Sequence, residues 1–167
     1  GTGLQFISGA DEAESIFGGA GADRLAGGEG SDIIDGGTGS DVLIAGESIA
    51  SSDDGVVDWL EGGIGTDFYY VGDGDVISDS DRVVGGIVLA GWSLSVTYEW
   101  VSEGVFESAD GSRTLQILGD NALITLTTLP VPATIEILDF GNPGAGYRDG
   151  DFGISLVLPD DVELPTS

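Results

Sequence analysis

Along residues 18–44 one apolar position returns every nine residues, at Leu25, Ile34 and Leu43, and an aspartate stands two places before each, at Asp23, Asp32 and Asp41. Three uninterrupted nonapeptides carry the pattern Gly-Gly-x-Gly-x-Asp-x-apolar-x, and residues 62–70 carry a fourth. The residues after each aspartate, such as Arg24-Leu25-Ala26, predict a short strand whose middle side chain points inward. Glycines at positions one, two and four admit backbone angles closed to other residues, so each repeat can curl tightly and turn carbonyls inward. The aspartate at position six brings a carboxylate to the same small volume. Carbonyl and carboxylate oxygens together suit Ca2+, which takes about six to eight such ligands. A flexible glycine linker has no reason to hold an acid and an apolar residue in fixed phase.

The rhythm extends outward with defects. Residues 9–17 keep the register and an inward Ile16, but Glu14 replaces the aspartate and Ala10 and Glu12 replace glycines. This coil is expected to fold but to bind metal weakly. Leu4, Phe6 and Ile7, within residues 1–8, predict a lead-in strand over the open end of the coil. After Ile44 the register breaks: residues 45–61 are one repeat and eight residues more, ending in Asp58-Trp59-Leu60-Glu61 with Asp58 in the aspartate place. The serine-rich, acidic part of this insertion, about residues 47–54, should loop out beside a turn. Residues 71–79 read as a shortened repeat, with Gly72, Gly74 and Asp75 one place early.

From Val83 the nonapeptides stop and strand-like segments follow, at 86–90, 94–101, 105–108, 114–118, 122–127, 134–138 and 154–158. Leu94-Ser-Val-Thr-Tyr98 and Ile135-Glu-Ile137 alternate as half-buried strands do. Asp110-Gly111 marks a hairpin, and Pro130 and Pro132 separate two strands. Helical signals are nearly absent. Residues 159–167 are acidic, carry Pro165 and are expected to fray.

On the nonapeptides the chain resembles the RTX (haemolysin-type) calcium-binding repeat family of secreted bacterial proteins, whose repeats wind into a parallel β-roll. The second half is similar to the region that follows such repeats in many secreted lipases and proteases. The matching residues there are Asp75-Val-Ile-Ser-Asp79, Asp110-Gly-Ser-Arg-Thr-Leu-Gln-Ile117, Ile135-Glu-Ile-Leu-Asp-Phe140 and Gly150-Asp-Phe-Gly-Ile-Ser-Leu156. The resemblance implies an all-β fold: a lead-in at 1–8, a parallel β-roll over 9–81, an antiparallel β capping region over 82–158 and a flexible tail at 159–167.

The resemblance also implies a ligand set. Two repeats make one coil, and each ion lies between the turns of repeats n and n+2. Repeat n supplies the carbonyls of positions two and four and its aspartate; repeat n+2 adds the carbonyls of positions one and three and its own aspartate. On this chain the repeats starting at Gly18, Gly36 and Gly62 should stack on one edge. Asp41 would then bridge two ions, one shared with Asp23 and one with Asp67. The carbonyls implied on that edge are those of Gly19, Gly21, Gly36, Gly37, Thr38, Gly39, Gly62, Gly63, Ile64 and Gly65. The other edge, with Gly28, Gly30, Asp32, Asp58 and Asp75, should hold one or two more, making about three to five ions in all. The implied role is a monomeric calcium-dependent folding module, joined to the rest of a larger exported parent protein. Such proteins leave the cell through type I secretion machinery and act outside it.

Charge narrows the partners. The 167 residues carry 30 acidic side chains against four arginines and no lysine, a formal net charge of −26. That balance argues against nucleic acid and anionic membrane surfaces. A hydrophobic fraction of 41% separates the chain from disordered acidic tails, and bound divalent cations would neutralise its excess. Without cysteine there is no disulfide. No segment approaches the roughly 20 apolar residues of a membrane span. Residues 1–10 lack the basic start and apolar core of a signal peptide, so the chain is expected to be a piece of something longer.

Catalytic chemistry finds no footing. With neither histidine nor cysteine, Ser-His-Asp and Cys-His systems are excluded and the usual zinc ligand sets are missing. No Gly-x-Ser-x-Gly elbow or phosphate loop is present, and carboxylates are too abundant for any one pair to signal glycoside hydrolysis. Asp73, Asp75, Asp79 and Asp81 alternate as in an EF-hand loop, but the glycine at its sixth place and the glutamate at its twelfth are missing, and Val84 stands at the latter. Trp92, Tyr98 and Trp100 suit either a sugar platform or the apolar core of the cap, with the core favoured. Arg24, Arg82, Arg113 and Arg148 are expected to pair with carboxylates. Two other roles stay open: the accessory tail of a secreted hydrolase with its catalytic part upstream, and an adhesin segment binding glycan or protein.

Overall fold

The computed structural model describes residues 2–138, 140 and 151–157. Arg148, the expected fraying tail at 159–167 and the end of the last expected strand, Leu158, lie outside the described residues.

Each repeat is one turn and one short strand, and successive strands fall into opposite sheets, so the nine-residue rhythm becomes a coil. After β1 (Phe6–Ser8) come β2 (Ser15–Ala20), β3 (Arg24–Ala26), β4 (Ile33–Thr38), β5 (Val42–Ile44), β6 (Trp59–Ile64), β7 (Asp67–Val71), β8 (Val76–Ser78) and β9 (Val84–Leu89). Odd strands pair in parallel in the order β1-β3-β5-β7-β9, and even strands in the order β2-β4-β6-β8. Ile16, Leu25, Ile34, Leu43, Leu60, Tyr69, Ile77 and Ile87 are buried between the two sheets. Burying each such side chain stabilises by about 1.5–3 kcal/mol. One of them per half coil makes a thin core.

The lead-in strand β1 pairs with β3, and Ile7 packs on the core while Leu4 and Phe6 stay exposed. The insertion after Ile44 does more than loop out. It closes on itself through a Ser48–Ser51 bridge and folds back over the roll. Ser52 Oγ donates to Val71 O at 3.1 Å, and Gly30 N–H donates to Asp54 Oδ2 at 2.7 Å. The register is restored at β6, where Trp59 faces Ile33.

Beyond β9, β10 (Trp92–Ser93) folds back antiparallel and ends the first sheet. The single strand expected at 94–101 is broken instead. Val96 N–H turns back to Leu94 O at 3.0 Å, and the buried Tyr98 hydroxyl donates to the same carbonyl at 3.1 Å, so β11 (Thr97–Ser102) starts late. With β12 (Val105–Ser108), β13 (Arg113–Leu118), β14 (Asn121–Leu126) and β15 (Ala133–Ile137) it forms an antiparallel meander. A 3-10 turn at Asp151–Gly153 leads to β16 (Ser155–Val157), which lies parallel to β11.

β15 pairs in parallel with β8, so the meander continues the roll's second sheet past its last coil. Tyr98, Phe106, Leu115, Ile124 and Ile135 join the roll's apolar residues in one cluster. The fold is all-β, a parallel roll carried on into an antiparallel region. Of the aromatics assigned to the core, Tyr98 is buried and Trp100 packs partly, but Trp92 is 40% exposed. The Arg113 guanidinium lies over the Trp92 ring, 5.3 Å from its centroid, and pairs with Asp110 at 3.2 Å. Among the described residues no helix is long and apolar enough to cross a membrane.

Candidate metal centre

The turns of the coil stack along two edges, and the aspartates form a ladder down each. On the first edge Asp23 N–H donates to Asp41 Oδ1 and Asp41 N–H to Asp67 Oδ1, both at 2.7 Å. Gln5 N–H closes the top of this ladder on Asp23 Oδ1, also at 2.7 Å. On the second edge Glu14 N–H donates to Asp32 Oδ1 (2.8 Å), Asp32 N–H to Asp58 Oδ1 (2.7 Å) and Asp58 N–H to Asp75 Oδ1 (3.0 Å). Rungs of 18, 26 and 17 residues mark a plain coil, the insertion and the shortened repeat. One oxygen of each rung is thus tied to the backbone. The other, Oδ2 of Asp23, Asp32, Asp41 and Asp67, is buried with no hydrogen-bond partner. Such an oxygen is costly unless a cation or a proton meets it.

A carbonyl of the next coil faces three of these oxygens. A Cβ on Gly36 would stand 2.7 Å from both Asp41 Oδ2 and Gly62 O, and one on Gly18 would stand 2.9 Å from Asp23 Oδ2 and 2.6 Å from Gly36 O. On the second edge a Cβ on Gly27 would overlap Asp32 Oδ2 and Ala45 O. Position one is therefore glycine for room. Position four needs glycine for its backbone as well: Gly39 has φ +140°, and a Cβ there would run into Gly21 O. The position-three carbonyls Thr38 O and Ile64 O accept the N–H of Gly21 (2.9 Å) and Gly39 (2.8 Å), each keeping a second lone pair. On the second edge Asp54 Oδ2 takes that part toward Gly30.

Oxygens gathered this way suit a hard cation bound at about 2.3–2.6 Å. Among the described residues no three acidic side chains are arranged to hold a metal by themselves. What the turns offer is carboxylates set among backbone carbonyls.

Burial raises the pKa of Asp32 and Asp41 from the ordinary aspartate value; the N–H each accepts offsets part of this, and neighbouring acids add to it. For the same reasons Asp58 is pushed up to about 7, and Asp67 and Asp75 to about 6. Without a cation, the ladder's way to lower its charge is to hold protons.

The residues singled out by sequence fall on the two edges. Gly19, Gly37 and Gly63 are in register, as are Thr38 and Ile64, so Gly36, Gly39, Gly62 and Gly65 stack in the same turns with Asp23, Asp41 and Asp67. Asp32, Asp58 and Asp75 form the opposite ladder, in the turns that hold Gly28 and Gly30. Asp75 differs from the others, because its Oδ2 accepts Gly72 N–H at 2.6 Å. Glu14 bends back on its own turn, Oε2 accepting Ala10 N–H at 2.9 Å. The four acids of the EF-hand alternative disperse: Asp73 binds Thr134 N–H, Asp75 the Asp58 N–H, Asp79 the Tyr69 hydroxyl and Asp81 the Gly65 N–H. Sequence reasoning missed Ala45 and Asp54. Ala45 was within reach, since it is position one of the interrupted repeat; Asp54 lies in the insertion, outside any period.

Stacked aspartates with buried free oxygens, set among inward carbonyls, define a calcium-binding parallel β-roll. Residues 8–43 and 58–77 match the RTX calcium-binding nonapeptide repeat in four copies, and this part of the chain is an RTX repeat domain. The match skips the insertion. Among solved structures the chain is similar to the AlgE6R3 subunit of the Azotobacter vinelandii mannuronan C5-epimerase, at 19% identity, covering 100% of this chain and 87% of that one. The TM-score is 0.28, a superposition too loose to bear on function. No curated protein matches the chain.

Proposed function

We propose that this chain is a calcium-dependent folding module of a larger secreted bacterial protein, unfolded where calcium is scarce and folded outside the cell. The observation that carries this reading is the set of four buried carboxylate oxygens without a hydrogen-bond partner. On this reading one ion lies between the Gly18 and Gly36 turns, held by Asp23, Asp41 and the carbonyls of Gly19, Gly21, Gly36 and Thr38. A second lies between the Gly36 and Gly62 turns, held by Asp41, Asp67 and the carbonyls of Gly37, Gly39, Gly62 and Ile64. A third, on the opposite edge, is held by Asp32, Asp58, Asp54 and the carbonyls of Gly28, Gly30 and Ala45.

Calcium supplies the positive charge that lets the carboxylates stack. At an effective dielectric of about 20, like charges 4 Å apart repel by about 4 kcal/mol, and a thin core offsets little of that. At calcium ten times a site's Kd each independent site adds about 1.4 kcal/mol. Three such sites add about 4 kcal/mol, near the whole stability of a small domain. Extracellular calcium modules bind with Kd of about 10⁻⁴–10⁻³ M, so folding would wait until type I secretion machinery has passed the chain outward with its parent protein. Circular dichroism of the isolated chain tests this: coil-like in chelator, β-rich above millimolar calcium. A spectrum indifferent to chelator defeats the proposal.

The exposed Trp92, stacked under Arg113, supports a second role as a glycan-binding adhesin segment. A glycan array probed with the calcium-loaded chain tests it, and retention that Trp92→Ala leaves unchanged counts against it.

A further inference from the structure

The first-edge ladder runs on where the repeats stop. Asp67 Oδ2 is as buried and unpartnered as the same oxygen of Asp23 and Asp41, yet no repeat follows it on that edge. Val84 faces Asp67 where the next aspartate would stand, and Asp79 follows the Glu61–Ser78 pair where the next glycine would stand.

Side chains reproduce the missing repeat's contacts one by one. Gly36 O and Gly62 O face Asp23 and Asp41; the Tyr69 hydroxyl faces Asp67 in the same way, since a Cβ on Gly62 would overlap Tyr69 Oη and stand 2.6 Å from Asp67 Oδ2. Thr38 O and Ile64 O accept the N–H of Gly21 and Gly39; Asp81 Oδ2 accepts the N–H of Gly65 at 3.0 Å. The tyrosine proton is already committed. It points to Asp79 Oδ2 at 2.7 Å, with Ser78 O at 3.2 Å, which leaves the Oη lone pairs for the Asp67 side. Asp79 is buried and anchored in turn by Arg82 N–H at 2.6 Å.

We propose a further calcium site at the end of the roll, outside the repeat pattern, formed by Asp67 Oδ2, Tyr69 Oη and Asp81 Oδ2 with the carbonyls of Gly63 and Gly65. Asp79 is its positioning residue, orienting the hydroxyl. The inference rests on the reading of the repeats as calcium sites and goes beyond it, because no pair of repeats encloses this ion. An all-oxygen set with two carboxylates and a neutral phenol selects a hard divalent cation. The site joins the last repeat turn to the segment that enters β9, so metal binding there fastens the end of the roll.

Calcium-anomalous diffraction from crystals grown in calcium chloride tests the site, with Tyr69→Phe keeping the ring in the core and removing only Oη. The expected map has peaks beside Asp23, Asp41 and Asp32 and one more between Asp67 and Tyr69. Only the last should vanish in Tyr69→Phe, and equilibrium dialysis should count one ion fewer. If that variant does not fold, Asp81→Asn is read in the same way. Repeat peaks with nothing beside Tyr69, or an ion count unchanged in the variants, overturn this site alone. A map with no calcium peak at all overturns the repeat reading together with it.

Discussion

Asp41 is where the two regular levels of the first ladder meet, and replacing it separates what metal contributes from what hydrogen bonding contributes. Its Oδ1 accepts Asp23 N–H at 2.7 Å, and its Oδ2 lies buried and unpartnered beside Gly62 O. Asp75 is the natural control: it is equally buried, but its two oxygens accept Asp58 N–H at 3.0 Å and Gly72 N–H at 2.6 Å. Alanine at either position strands buried backbone N–H groups, each costing about 1–3 kcal/mol. Asp41→Ala strands one such group and Asp75→Ala two, so in calcium-free buffer Asp75→Ala should lose the more stability. At calcium ten times Kd, Asp41→Ala also loses the contribution of two ions, about 3 kcal/mol, which Asp75→Ala retains. Calcium titrations followed by circular dichroism read the difference: the Asp41→Ala midpoint should move to higher calcium well beyond that of Asp75→Ala. Equal midpoints would refute the placement of Asp41 between two ions.

The metal-free chain should also respond to pH in an unusual direction. Burial and neighbouring acids push Asp58 and Asp79 up to about 7 and Asp67 and Asp75 up to about 6, against about 3.9 in an unfolded chain. The folded state then binds more protons than the unfolded one from about pH 4 to 7, so this stabilisation is complete below pH 4 and is lost as pH rises through 6 to 7. Calcium-free β signal should be stronger at pH 4.5 than at pH 7.5, and the reverse order counts against it. With calcium the trend inverts, because metal displaces those protons. Gly36→Ala places a Cβ 2.7 Å from both Asp41 Oδ2 and Gly62 O, so its calcium midpoint should rise, while Gly3→Ala, whose Cβ meets nothing within 4 Å, should leave it unchanged. Matched midpoints for these two variants would contradict the cage at Gly36.

By itself the sequence determined what depends on neighbours within one repeat or one hairpin. The three-residue strands Arg24–Ala26 and Val42–Ile44 follow from an apolar residue two places after each aspartate, and the turns from the glycines before it. A strict period then stacks like on like, which is why the ladder from Asp23 through Asp41 to Asp67 was legible. In the tail, strands at 105–108, 114–118, 122–127 and 134–138 could be placed to within a residue or so because antiparallel neighbours are adjacent in sequence. Tertiary structure alone decided the partners of residues outside the period. Asp54 meets Gly30 across 24 residues, Asp81 meets Gly65 across 16, and Thr134 meets Asp73 across 61 as β15 joins β8. It likewise left Trp92 at the surface. A repeat announces its contacts because each copy meets another like itself, whereas a lone side chain finds its partner only when the coil has already brought the backbone to it.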